Sequence, residues 1–140
     1  MSDSPAVVPQ KTPPARQTIL VVDDEPLLRE LLRRWFDAAG FAVVEADSAP
    51  QAISQLEGPR LQVDLMVTDL RMPGIDGDQL IAWARRAHPE LPVICLTGFA
   101  EEAQAGVTIL EKPVHADRIV KAVRSALRQA APVQRLRASS

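Results

Sequence analysis

Four acids, a threonine and a lysine stand where apolar runs end. "TILVV" (18–22) leads straight into Asp23, Asp24 and Glu25. "DLMVTD" (64–69) ends on Asp69, "PVICLTG" (92–98) carries Thr97 near its end, and "VTILEK" (107–112) ends on Lys112. Carboxylates gathered within a few ångströms repel and raise one another's pKa, so they stay ionised together only when a cation joins them. An all-oxygen set of this kind suits Mg2+, which keeps several waters and takes one or two carboxylates plus a phosphate. With a fixed ammonium from Lys112 and a hydroxyl from Thr97, the group suits phosphoryl transfer, where catalysis is mostly positioning and charge neutralisation. A carboxylate in such a place can itself be the nucleophile and form an acyl phosphate.

These residues meet only if their strands are neighbours. Short apolar runs, read as strands buried on both faces, alternate with longer amphipathic ones. Strands are expected at 18–22, 41–46, 64–69, 92–98 and 107–112, and helices at 27–40, 49–57, 76–88 and 115–130. Pro26 suits a first helical turn, Gly40 a helix stop and Ser48 an N-cap. The alternation implies an α/β fold: a doubly wound, five-stranded parallel sheet of flavodoxin-like order 2-1-3-4-5. In that order strands one, three, four and five are consecutive, ligands bind beyond their carboxyl ends, and the acids, Thr97 and Lys112 converge on one cleft.

The 140 residues suffice for one domain with its own core. A formal charge of −2 argues against nucleic acid as the main partner. One cysteine, Cys95, leaves no internal disulfide and fits a reducing compartment. With no apolar run long enough to span a bilayer and no signal-peptide pattern, the expectation is a cytoplasmic protein without membrane contact. Residues 1–16 hold four prolines and are expected to form an extended, disordered tail, the folded domain to cover 17–130, and 131–140 to be a flexible basic tail.

Taken in order, "LVVDDEP", "DLMVTDLRMPGIDG", "VICLTG" and "EKP" resemble the receiver domain of two-component response regulators over roughly residues 17–130. The resemblance implies that Asp69 accepts a phosphoryl group from a sensor histidine kinase or histidine phosphotransferase. It makes Asp24 a direct Mg2+ ligand, Asp23 a ligand through water, and the main-chain carbonyl of Arg71 a further ligand beside Asp69. Thr97 would be the switch hydroxyl, Lys112 the lysine that pairs with the phosphoryl group, and Lys112–Pro113 a cis bond. Such a protein signals by contact or serves as a phosphate shuttle or sink. It assists its own phosphorylation and dephosphorylation and is not an enzyme with an outside substrate.

Two departures stand out. Thr97 and Lys112 are 15 positions apart, short of the family pattern by roughly two helical turns, so the fourth helix is expected to be short or absent. Ile109 stands where relatives carry an aromatic ring that swings inward on activation. Few residues follow the last helix, which reads as a stand-alone receiver with no DNA-binding domain; a fragment of a hybrid kinase is the alternative. Arg71 and Phe99 flank the acceptor and the hydroxyl, where they would gate water. The apolar stripe of the first helix (Leu27, Leu28, Leu31, Leu32, Trp35, Phe36, Ala38, Ala39) is wider than one core face needs. It serves packing, or a partner surface, with a homodimer through the first or fifth helix as a further option. Two other functions compete: a phosphorylation-independent interaction module, and a Mg2+-dependent aspartyl phosphatase. The second wants Asp-x-Asp-x-Thr after the first strand, where this chain has Glu25 two positions after Asp23, and then Pro26 and Leu27.

Overall fold

The computed structural model describes residues 16–59, 62–70, 77–98 and 107–139. Five strands, β1 (Thr18–Val22), β2 (Ala42–Ala46), β3 (Leu65–Asp69), β4 (Val93–Thr97) and β5 (Val107–Glu111), form one parallel sheet in the order β2-β1-β3-β4-β5. Helices α1 (Pro26–Ala38), α2 (Ala49–Glu57), α3 (Gly77–Ala87) and α4 (Ala116–Ser139) accompany it. This is the doubly wound α/β order that the alternating pattern implies. The helix expected to be short or absent between β4 and β5 falls on 99–106, outside the described residues.

The central strands are buried, and apolar up to their carboxyl ends, because both faces are covered. Side chains alternate along a strand, so Leu20 and Val22 join Met66, Val93, Cys95 and the α2 and α3 residues Ala52, Leu56, Leu80 and Ile81 in one core. Ile19 and Val21 join Leu65, Val67, Ile94, Leu96 and the α1 and α4 residues Leu32, Phe36, Ile119 and Val123 in the other.

Helix ends follow from local chemistry. Pro26 opens α1, where a missing N–H costs nothing. At its far end Gly40 takes φ +99, a conformation that favours glycine. Its N–H donates to Asp37 O (3.1 Å) and that of Phe41 to Phe36 O (3.0 Å), the paired closure of a Schellman motif. The expected hydrophobic contact is present, Phe36 and Phe41 meeting edge to face at 6.4 Å. Arg124 of α4 then donates to Ala39 O at 3.2 Å and lies 5.8 Å from the Phe41 ring centre, tying the two helices together. Ser48 caps α2, accepting from Gln51 N at 3.3 Å.

The last helix departs from expectation. The sequence pattern ends it at 130, whereas α4 runs to Ser139, through Pro132. Gln134, Arg135, Leu136, Arg137 and Ala138 beyond the proline have good helix propensity.

Candidate functional site

Parallel pairing of β1 with β3, with Val22 opposite Thr68, brings the carboxyl ends of two strands side by side. Asp23, Asp24 and Asp69 each present a carboxylate oxygen there, all within 4.8 Å of one another. Asp23 and Asp69 are buried and Asp24 is exposed.

Asp23 is the most buried of the three, with 1% of its surface exposed. One oxygen, Oδ1, accepts from Glu25 N at 2.8 Å. Among the described residues the other, Oδ2, is buried without a hydrogen-bond partner. Burial pushes the Asp23 carboxyl up to about 6; the Glu25 amide opposes that shift, the charge of Asp69 adds to it and Lys112 draws it back. A buried, donor-less carboxylate oxygen beside two further carboxylates is a hard-oxygen set in want of positive charge. The residues therefore fit Mg2+, which Asp23, Asp24 and Asp69 would hold.

Across the cleft, Lys112 Nζ lies 3.2 Å from Asp69 Oδ2. The lysine sits just beyond β5, where its main-chain N–H donates to Thr97 O at 2.7 Å, and the Lys112–Pro113 bond is cis. Thr97 ends β4 and is buried. The structure thus brings Asp23, Asp24, Asp69 and Lys112 together, with Thr97 on the strand between β3 and β5. Arg71 and Phe99 lie outside the described residues. Ile109 is half-buried and packs against the α2–α3 core.

The start of α3 is pressed onto the end of β3. Gly77 N donates to Leu70 O at 2.8 Å, and a Cβ at Gly77 would stand 2.4 Å from Asp69 O and 2.6 Å from Leu70 Cα. The "DG" of 76–77 hints at a turn, yet no sequence signal says that its glycine touches the backbone of Asp69.

A second support has no mark in the sequence. Arg29 of α1 donates from Nη1 to Asp23 O (2.7 Å) and from Nε to Glu45 Oε1 of β2 (2.9 Å). Arg33 donates to the other oxygen of Glu45 at 2.6 Å, and these guanidinium bonds, Arg33's first, hold the Glu45 carboxyl below its usual range.

The wide stripe of α1 divides. Leu32 and Phe36 are buried and Leu28, Trp35 and Ala39 pack against them, while Leu27 and Leu31 stay 79% and 41% exposed. Among the described residues no helix is long and apolar enough to cross a membrane.

The family model of the response regulator receiver domain matches residues 19–124. The chain is 39% identical over 121 residues to the transcriptional regulatory protein GlrR of Escherichia coli (strain K12), covering 81% of this chain and 27% of that protein. It is 35% identical to the transcriptional regulatory protein FixJ of Bradyrhizobium diazoefficiens, over 81% of this chain and 58% of that protein. The chain thus spans about a quarter to somewhat over half of these curated relatives. Its structure resembles that of a response regulator receiver protein from Sinorhizobium medicae WSM419, with a TM-score of 0.75 at 30% identity over 82% of this chain and 97% of that one. Strand order, strand-end acids and these likenesses agree: the chain belongs to the response regulator receiver domain family of two-component systems.

Proposed function

We propose that Asp69 is a phosphoacceptor that takes a phosphoryl group from the phosphohistidine of a sensor histidine kinase or histidine phosphotransferase. The observation that carries this reading is the 3.2 Å pair of Asp69 Oδ2 with Lys112 Nζ inside a three-carboxylate cluster. A carboxylate oxygen of Asp69 attacks phosphorus, the P–N bond of the donor breaks, and an acyl phosphate forms. Lys112 stays beside the acceptor and offers its ammonium to a phosphoryl oxygen. Thr97 offers a hydroxyl to another. Asp23, Asp24, Asp69 and the main-chain carbonyl of Arg71 would hold Mg2+, which supplies neutralisation of the charge gathering on the phosphoryl oxygens. The phosphorylated domain then acts by protein contact or passes the group on, and the exposed leucines of α1 belong to the face that meets the donor. In this reading the protein is a cytoplasmic signalling module that turns over no outside substrate.

Intact-protein mass tests this directly, after incubation with Mg2+ and acetyl phosphate or a phosphorylated histidine donor. Wild type is expected to gain one phosphoryl group and Asp69→Ala none. A wild type that gains nothing from either donor would reject phosphotransfer and leave a phosphorylation-independent interaction module. Steady release of inorganic phosphate from simple phosphate esters would point instead to a phosphatase.

A further inference from the structure

We propose that Arg29, braced by Glu45, is a positioning residue that fixes the Asp23–Asp24 turn and thereby sets the affinity of the acid cluster for a divalent cation. This rests on the reading above that the cluster binds Mg2+.

Several bonds hold the turn. The N–H of Asp23 donates to Ala46 O of β2 at 3.1 Å. Its carboxylate accepts from Glu25 N, closing the turn from within. The remaining freedom lies in the peptide unit joining Asp23 to Asp24. That unit is planar, so the direction of its carbonyl fixes the direction of the Asp24 N–H on its other side. Arg29 Nη1 holds that carbonyl at 2.7 Å. A change of ψ at Asp23 would turn that carbonyl off Arg29 and carry Asp24 with it, away from Asp23 and Asp69.

Arg29 is itself held. Its Nε donates to Glu45 Oε1, and its main-chain N–H donates to Glu25 O at 3.1 Å in the opening turn of α1. The second oxygen of Glu45 is occupied by Arg33, so the carboxylate cannot turn away cheaply. The Arg29 side chain is 19% exposed against 57% for Arg33, which makes it the inner member of the pair. A guanidinium can serve carbonyl and carboxylate at once because its donors form a rigid fork; a lysine ammonium has no such fork. β2, a strand that contributes no side chain to the cluster, thus reaches it through Glu45 and Arg29.

The sign of the effect separates positioning from charge. Arg29 is a cation near a cation site, so if it acted only through space its removal would tighten Mg2+ binding. Positioning demands the reverse.

The test is Mg2+ titration calorimetry on the full chain, at a temperature where circular dichroism shows each variant folded. Arg29→Met is expected to weaken binding by about 10- to 100-fold, the usual range for a partner that orients a ligand without touching the metal. Glu45→Gln keeps an oxygen acceptor but loses the charge that braces Arg29, so it should act in the same direction by less, and the double variant should be no weaker than Arg29→Met alone, since Glu45 acts through Arg29. Arg34→Met removes a like charge from the same helix and should leave affinity within about twofold, as an exposed pair contributes little. Unchanged or tighter binding in Arg29→Met overturns the proposal while leaving the metal site standing. Should Arg29→Met not fold, Glu45→Gln decides: unchanged affinity overturns the proposal. A wild type that takes up no Mg2+ overturns both this proposal and the metal reading beneath it.

Discussion

The two sides of the cleft are built differently. On the acid side, the Asp23–Asp24 turn is held by main-chain bonds, by its own carboxylate and by an arginine clamped to the next strand. Across from it, Lys112 reaches Asp69 with one long side chain that is 32% exposed, though its main chain is tied to Thr97. Groups of like charge must be forced together, and that takes a rigid frame. An ammonium drawn to a carboxylate needs no forcing, and a flexible stem lets it follow the charge when a phosphoryl group arrives. The acid side should therefore govern stability and metal affinity, and the lysine side the rate of phosphorylation.

The largest effect on stability is expected at Gly77, where the frame is tightest. Gly77→Ala puts a methyl against the backbone of Asp69 and Leu70, which cannot move aside as a side chain can. Urea denaturation should show a loss of about 3 kcal/mol, the upper part of the usual cost of overpacking. A loss below about 0.5 kcal/mol would mean that the end of β3 yields easily, and would erase the contrast.

Next comes the buried acid. The Asp23 carboxyl is raised from 3.8 to about 6, so between those values the folded chain binds more protons than the unfolded one. Stability then falls as pH rises through that window, by about 2–3 kcal/mol in the metal-free protein. The contribution is fully present below the lower value and lost above the upper. Glu45, with its carboxyl lowered, acts with the opposite sign, gaining stability as pH rises. Thermal melts in chelator at pH 4 to 7 should therefore be read as wild type minus Asp23→Asn. Identical slopes for the two proteins would remove Asp23 as the source.

The smallest stability change belongs to Lys112→Met. A partly exposed ion pair contributes less than about 1 kcal/mol after solvent screening. Phosphoryl uptake, by contrast, should slow by about 100-fold when that charge is gone, in the range seen on removing one stabilising donor. A variant that loses stability as Gly77→Ala does, yet keeps its rate, would reverse the assignment of the two sides.

Much of this architecture is legible in the chain. Continuous apolar runs such as "ILVV" mark strands covered on both faces, and an acid placed directly after such a run must lie at the sheet's carboxyl edge. That is why the meeting of Asp23, Asp24, Asp69 and Lys112 could be anticipated. The Arg29–Glu45 clamp could not, because arginine and glutamate on amphipathic segments look alike whether they face solvent or each other. Their meeting depends on the pairing of β1 with β2 and on the rotation of α1 above them. Leu27 and Leu31 illustrate the same blindness: periodicity assigns them to an apolar stripe, while Leu28, Leu32 and Phe36 take the side of the helix turned to the sheet and leave these two, one position round, outside. The C-terminal helix has no mark in the pattern because Pro132 falls where a proline normally signals an end.

Asp23 and Asp69 are 46 positions apart in the chain and come together through the pairing of β1 with β3. An unfolded chain holds no such cluster. Any cation that bridges these carboxylates is therefore a ligand of the folded state alone, and by mass action it draws the folding equilibrium towards that state. The acids that weaken the bare fold would thus let it register the free concentration of the ion that joins them, so that stability in chelator and stability in millimolar Mg2+ are two different quantities.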